Sequence, residues 1–271
     1  VTKNWEVYAF RYAAMPERYE AELFIGGRPD ANWGMDYFFW MLRSGTEVIV
    51  VDTGANAAKM PAKGRTPLIS IEDALAGVGV KAEDVSQVFL THAHWDHIGN
   101  LDSFPKAHFW IQQAEMASIT GPDMTFAKIR GAYQADEVQR LVGLVYEDRI
   151  TFLDGDGCFA DGVDYLLMPG HSAGQTALRI STTSGQLLLA SDAVHYYREA
   201  AEELCFLAFN DAKAMLSSLR RCKAEIAGDW DRMIPGHDPQ VTWRYPAETH
   251  LSNGDPVALR VDLAPIKGLE L

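Results

Sequence analysis

Thr91-His92-Ala93-His94-Trp95-Asp96-His97-Ile98-Gly99 places three imidazoles and a carboxylate within six residues, in a chain with only eight histidines among 271 residues. The run before it, Val85 to Leu90, is apolar enough to read as a buried strand, so the nonapeptide starts where a strand ends. In an extended or turning backbone His92 and His94 project to the same side, and a turn then returns Asp96 and His97 towards them. Imidazoles and a carboxylate at this spacing match the ligand preferences of Zn²⁺ and similar borderline ions. Without a cation, little would compensate such crowding.

The same strand-then-polar pattern recurs on both sides. Upstream, Glu6 to Tyr12 alternates weakly, Tyr37 to Leu42 is nearly continuous aromatic and aliphatic, and Glu47 to Val51 reads as a buried strand that ends in Asp52-Thr53-Gly54. Downstream, Val163 to Met168, Ala177 to Ser181, Gln186 to Ala190 and Arg232 to Ile234 read as short strands. Helical spacing marks Ser70 to Gly77, Gln112 to Ser118, Thr125 to Val145 (a helical lid or flank) and Asp211 to Ile226. Met15 to Tyr19 and Gly26 to Asp30 are loop-like by their Gly and Pro content, and His250 falls in a polar tail. No repeat, low-complexity tract or Pro/Ser-rich linker interrupts the chain, so one α/β domain over residues 1–271, two packed sheets flanked by helices, is expected.

Composition narrows the partners. Hydrophobic residues make up 48% and charged residues 23%, ordinary for a globular chain with a sizeable core. A net charge of −13 disfavours nucleic acid or an anionic membrane surface, which take their affinity from phosphate neutralisation. The short basic run Arg220-Arg221-Cys222-Lys223 reads as a solvated helix face. Cys158, Cys205 and Cys222 form neither a disulfide framework nor a zinc ribbon and are expected as small buried hydrophobes in a reducing compartment. No apolar run approaches the ~20 residues of a membrane span, and Val1 to Tyr12 shows no basic stretch followed by an apolar one, so a cytoplasmic location is expected.

His92-x-His94-x-Asp96-His97 followed by Gly99 resembles the signature of the metallo-β-lactamase superfamily. Three further motifs resemble its remaining ligand positions, in the family's order: His171 in Pro169-Gly170-His171-Ser172, Asp192 in Ser191-Asp192-Ala193 and His237 in Pro235-Gly236-His237-Asp238. The resemblance runs from about Asp52 to His237 and implies a four-layer αβ/βα sandwich with two Zn²⁺ ions at one edge of the sheets. By the same resemblance His92, His94 and His171 would hold one ion, Asp96, His97 and His237 the other, and Asp192 would bridge them. Asp52 resembles a residue that accepts the free N–H of a ligand imidazole. Taken alone, a Pro-Gly-His can cap a turn and a Ser-Asp-Ala can begin a helix. His108, in a strand-like stretch, and His250 are read as structural or solvent-exposed.

Two ions of this kind share a water, lower its pKa towards neutrality and leave a bridging hydroxide to attack a carbonyl or phosphoryl group. Asp96 would both ligate and handle the proton of that water. Within the family, redox members carry Glu where His94 stands, and the commonest zinc β-lactamases place Arg at His97 and lack the Asp192 bridge. Thioesterases of the glyoxalase type add a C-terminal helical domain, and RNA-processing members want positive charge. What remains most closely resembles the N-acyl homoserine lactonases, and that resemblance implies a quorum-quenching lactonase for a small apolar or acylated lactone. Those enzymes usually carry Tyr three residues past the bridging Asp, where this chain has His195 followed by Tyr196, so both are candidates for contacting the substrate carbonyl. Met15 and Trp33, apolar residues in loops, are candidates for walling the cleft. Two other readings stay open: a thioesterase or phosphate esterase on the same site, and a non-catalytic protein in which metal braces a ligand-binding fold. All leave room for a homodimer.

Overall fold

In the computed structural model, which describes residues 2–271, β1 (Glu6–Met15), β2 (Met35–Ser44) and β3 (Glu47–Val51) are antiparallel neighbours. Their side chains alternate between two cores. Val7, Ala9, Phe38, Trp40, Leu42, Ile49 and Val51 enter one; Tyr8, Phe10, Tyr12, Tyr37, Phe39, Met41 and Val50 enter the other. A sheet covered on both faces needs apolar residues at every position, which is why these strands read as continuous runs.

The short β4 (Thr66–Pro67) pairs with β1, and β5 (Gln87–Phe89), β6 (His108–Gln112) and β7 (Ile150–Leu153) extend the sheet in parallel from β3. A second sheet contains β8 (Gly157–Ala160), β9 (Val163–Leu167), β10 (Thr176–Thr182) and β11 (Gly185–Ser191), with β12 (Met233–Pro235) parallel to β11. The chain then returns to the first sheet as the hairpin β13 (Ala247–His250) and β14 (Pro256–Arg260), β14 pairing with β1. Among the described residues the strands thus make a nine-stranded sheet and a five-stranded sheet. Helices Ile71–Ala76, Gln113–Ile119 and Ala135–Tyr146 bury Leu75, Ile119, Leu141 and Leu144 in the first core. Helices Tyr197–Glu202 and Ala212–Glu225 bury Ala200, Leu219 and Cys222 in the second. The order of layers is helix, sheet, sheet, helix, as expected.

Three expectations change. The tail that holds His250 is sheet, because Val257, Ala258 and Leu259 are buried beside β1, although His250 itself is exposed. The helix expected over Thr125 to Val145 is broken between Ala127–Arg130 and Ala135–Tyr146. The break serves the metal-ligand motif: the Ala132 carbonyl accepts the Trp95 N–H at 3.0 Å, and the Tyr133 ring lies edge-on to His94 at 4.7 Å. Of the thiols only Cys222 is buried, and Cys158 is exposed. Among the described residues no helix is long and apolar enough to cross a membrane.

Candidate metal centre

Every motif of the resemblance leaves the C-terminal end of a strand. The nonapeptide follows β5, His171 lies between β9 and β10, Asp192 directly follows β11, and His237 lies two residues past β12. The Thr91 carbonyl accepts the Thr176 N–H at 2.9 Å and so ties the first motif to the mouth of β10. β11 and β12 run parallel with Ser191 opposite Pro235, which sets Asp192 beside His237. Two glycines allow the close approach. A Cβ at Gly99 would lie 2.2 Å from the Asn56 nitrogen, and one at Gly236 would lie 2.4 Å from Asp192 Oδ1.

All seven side chains converge and are buried, the most open, Asp96, at 7% exposure. Asp192 sits at the centre. Its Oδ2 is 3.1 Å from His237 Nε2, 3.3 Å from His171 Nε2 and 3.9 Å from His92 Nε2, while its Oδ1 is 3.4 Å from His97 Nε2. Asp96 stands 3.9 Å from His237 Nε2 and 4.0 Å from His97 Nε2. Ligand atoms of His92, His94 and His171 lie within 4.8 Å of one another, as do those of Asp96, His97 and His237.

The outer nitrogens are tied down. His97 Nδ1 is 2.7 Å from Asp52 Oδ2, which also accepts the Thr91 hydroxyl at 2.7 Å. His237 Nδ1 donates to the Asp36 carbonyl and His171 Nδ1 to the Ala208 carbonyl, both at 2.8 Å. An imidazole whose Nδ1–H is so engaged presents the lone pair of Nε2 inward. The inward Nε2 atoms of His92, His97 and His171, and Oδ1 of Asp192, find no hydrogen-bond partner among the described residues. Buried polar atoms left unpartnered at such range cost free energy that a shared cation would recover. Burial, and after it mainly the neighbouring imidazoles, holds His92 and His94 well below the ordinary histidine range, in the neutral form that ligates. Burial works the same way on His97, but Asp192 and Asp52 outweigh it and raise that imidazole. The cluster suits a site for two metal ions.

His195 and Tyr196 part company. His195 Nε2 lies 3.5 Å from Asp192 Oδ2, unpartnered, and its Nδ1 is 3.1 Å from Glu199 Oε2. Tyr196 turns away: its hydroxyl donates to the Gly34 carbonyl at 2.8 Å, and its ring sits against Phe24 and Trp33. An extended backbone at Tyr196 (φ −134°, ψ 146°) sends neighbouring side chains to opposite sides. Trp33 goes with Tyr196, and neither it nor Met15 lines the cavity of about 340 Å³ that opens over His94 and His171. Trp95, Ile129 and Phe209 wall that cavity instead.

Sequence reasoning missed the residues that join the halves of the site. Glu115 is fully buried, and its carboxylate accepts the Ala93 N–H at 2.9 Å and the Gly174 N–H at 2.7 Å, clamping the first motif to the His171 loop. Only its place three residues past β6 hinted at this. Glu199, also fully buried, accepts the backbone N–H groups of His195 and Tyr196 and reaches the His195 ring. His108 bonds Thr151 between β6 and β7 and is structural, as read.

The family model of the metallo-beta-lactamase superfamily matches residues 35–237. The chain belongs to that superfamily. An N-acyl homoserine lactonase of Bacillus cereus is 32% identical over 165 residues, 60% of this chain. The match likewise spans only 60% of that relative's length. Among solved structures, a quorum-quenching N-acyl homoserine lactone lactonase superposes with a TM-score of 0.72 at 22% identity, covering 89% of this chain and 94% of the other. A probable metal-dependent hydrolase from Staphylococcus aureus gives 0.73 at 14% identity, covering 100% and 99%. At such identities these likenesses speak to the fold alone.

Proposed function

We propose that this member of the superfamily is a two-metal lactonase that opens the ester ring of a small lactone. The observation that carries the reading is the central carboxylate of Asp192, with imidazoles of both ligand groups facing it at 3.1–3.4 Å and one oxygen still unpartnered. The name of the Bacillus cereus relative supports the choice of a lactone. In this proposal His92, His94 and His171 hold one ion, Asp96, His97 and His237 the other, and Asp192 bridges. Bound there, two divalent ions, zinc in the first instance, supply an acidified water and a Lewis-acidic contact to a carbonyl oxygen.

The protein's own groups do the rest. Asp52, the Asp36 carbonyl and the Ala208 carbonyl fix three imidazoles in the tautomer that points Nε2 inward. Asp96 handles the proton of the attacking water. Trp95, Ile129 and Phe209 exclude bulk solvent from the ring-opening step. In that step a water oxygen bonds to the acyl carbon, the ring C–O bond breaks, one water proton ends on the released alcohol and the other leaves to solvent.

His195 donates to the developing oxyanion. Burial pushes Glu199 up to about 8 while its Oε2 accepts the backbone N–H groups of His195 and Tyr196. A protonated Oε1, 3.2 Å from His195 Nδ1, then donates to that nitrogen and leaves Nε2–H facing the cluster. The test combines metal analysis with a lactone panel followed by proton release. The expected result is close to two ions per chain, with ring opening lost on chelation and restored by zinc. Turnover in rigorously metal-free protein, or a fully loaded protein inert to every lactone, would overturn the reading.

A further inference from the structure

The mouth of the cavity above His94 and His171 carries an unusual charge for so acidic a chain. Lys63 and Arg65, from the loop ahead of β4, and Lys128, from helix Ala127–Arg130, line it, and no carboxylate is among its lining residues. Lys63 Nζ stands 4.8 Å from the centre of the Trp95 ring and the Arg65 guanidinium 5.5 Å from the same ring. Arg65 is steadied by the Tyr37 hydroxyl, 2.6 Å from its Nε. Other partly buried cations meet carboxylates: Arg11 pairs with Asp36, Lys59 with Asp136 and Glu137, Arg140 with Asp102 and Glu147. Among the described residues Lys63, Arg65 and Lys128 have no such pairing, and of these Lys63 and Arg65 are half-buried. Burial above all draws Lys63 below the ordinary lysine value, with Arg65 adding to it against the pull of Asp96.

A neutral lactone, whose carbonyls could accept from these groups, would gain less from them than an anionic one. Half-buried cations on an aromatic floor, next to a site built for two more positive ions, form a field that selects negative charge. The volume, about 340 Å³, falls at the small end of ligand cavities and suits a compact molecule.

We propose that the cavity binds an ester or lactone bearing a fixed anionic group, which Lys63 and Arg65 receive, with Lys128 at the rim, while the ester carbonyl lies over His94 and His171. This rests on the hydrolase reading above and names the substrate class within it. The anion is a carboxylate in the first instance, since a planar carboxylate can accept from the guanidinium fork of Arg65 and from the ammonium of Lys63 together.

The metal-loaded full chain is tested with a matched pair, 5-oxotetrahydrofuran-2-carboxylate and its neutral carboxamide. Binding is read separately, by calorimetry, with the lactam 5-oxopyrrolidine-2-carboxylate, which lacks the scissile ester. Wild type should favour the carboxylate by about tenfold or more in kcat/KM, the worth of one hydrogen bond to a charged group. Lys63→Met and Arg65→Gln should each cut the carboxylate-to-carboxamide ratio about tenfold, chiefly through the KM of the carboxylate. Lys81→Met, an exposed lysine ahead of β5 and so at the opposite end of that strand from the cluster, should leave the ratio as it was. Equal rates for the two lactones, or equal losses on both in Lys63→Met, would overturn the proposal and leave the cations as braces on Trp95. The lactam keeps the two readings apart. If neither lactone opens but the lactam binds and Lys63→Met weakens it, the anion site stands and the lactonase reading falls. If the carboxamide turns over and the lactam does not bind, the reverse holds. Failure of both measurements removes both.

Discussion

At the floor of the cavity His92, His97, His171, His195, His237 and Asp192 are all nearly inaccessible, and four of the five imidazoles, all but His92, have the outer nitrogen tied to a buried carboxylate or a backbone carbonyl. At its mouth Lys63 and Arg65 are half-buried on a short loop, Lys128 is exposed on a four-residue helix, and rings and solvent take the place of carboxylates. Floor groups are held by strand ends whose position two sheets over-determine; at the mouth Lys63 and Arg65 rest on the Trp95 ring, with the Tyr37 hydroxyl beside Arg65. That is an economical division. A reaction that needs ligand atoms placed within fractions of an ångström belongs on the first kind of support, whereas discrimination between substrates tolerates, and is adjusted through, the second.

The largest effect should therefore come from the floor. Asp96→Asn removes a proposed ligand charge and the group proposed to handle the proton of water. Turnover should fall by more than the ~10²–10⁴ of general acid–base help alone, with the thermal unfolding curve nearly unchanged because Asp96 sits at the cluster's open side. Near wild-type kcat at full metal loading would show that the floor has been misread. Next comes His195. If Nε2–H donates to the oxyanion, His195→Phe should lower kcat about a hundredfold with both ions retained. Glu199→Gln should cost only a few-fold, because its amide can donate to Nδ1 and lock the same tautomer. A large loss of bound metal in either variant would instead make His195 a ligand. Smaller again is Asp52→Asn. It leaves every proposed ligand in place but loosens His97 and Thr91, and should weaken metal binding about tenfold to a hundredfold; unchanged affinity in a metal-competition titration would mean that His97 needs no such support.

Floor and mouth also differ in how far the sequence betrays them. Ligand candidates lie in short contiguous motifs, and a strand running into Thr91-His92 or Ser191-Asp192 fixes both place and direction, which is how all seven side chains come together. The layered fold followed from the same runs. What stayed hidden acts across long gaps in the chain. Glu115 binds Ala93 and Gly174, 22 and 59 residues away, and the Asp36 carbonyl meets His237 across 201 residues. Lys63-Gly64-Arg65 reads as an ordinary polar turn until Trp95 is placed beneath it. The C-terminal hairpin reads as a tail in the sequence because Val257 to Leu259 is too short a run to announce a strand without its partner β1.

The smallest effect is expected at Tyr196, and it marks where the floor ends. Sequence position alone gives Tyr196 as good a claim as His195, since both follow Asp192 by three or four residues. The structure separates them by one alternation of an extended backbone, which leaves the Tyr196 hydroxyl on the Gly34 carbonyl and its ring edge-on to Phe24 and Trp33. Tyr196→Phe keeps that packing and deletes one buried hydrogen bond, leaving the Gly34 carbonyl without this donor. The cost should be about 1 kcal/mol of stability, or a fall in Tm of roughly 2–4 °C, with kcat/KM for any lactone within a few-fold of wild type. The opposite pattern, an unchanged Tm and a hundredfold loss of kcat with both ions bound, would require the phenol to swing from Gly34 into the cluster during turnover. Helix Tyr197–Glu202 would then have to move with it, because Glu199 holds the backbone N–H groups of both His195 and Tyr196. Tyr196→Phe therefore tests whether the floor is as rigid as its buried partners imply.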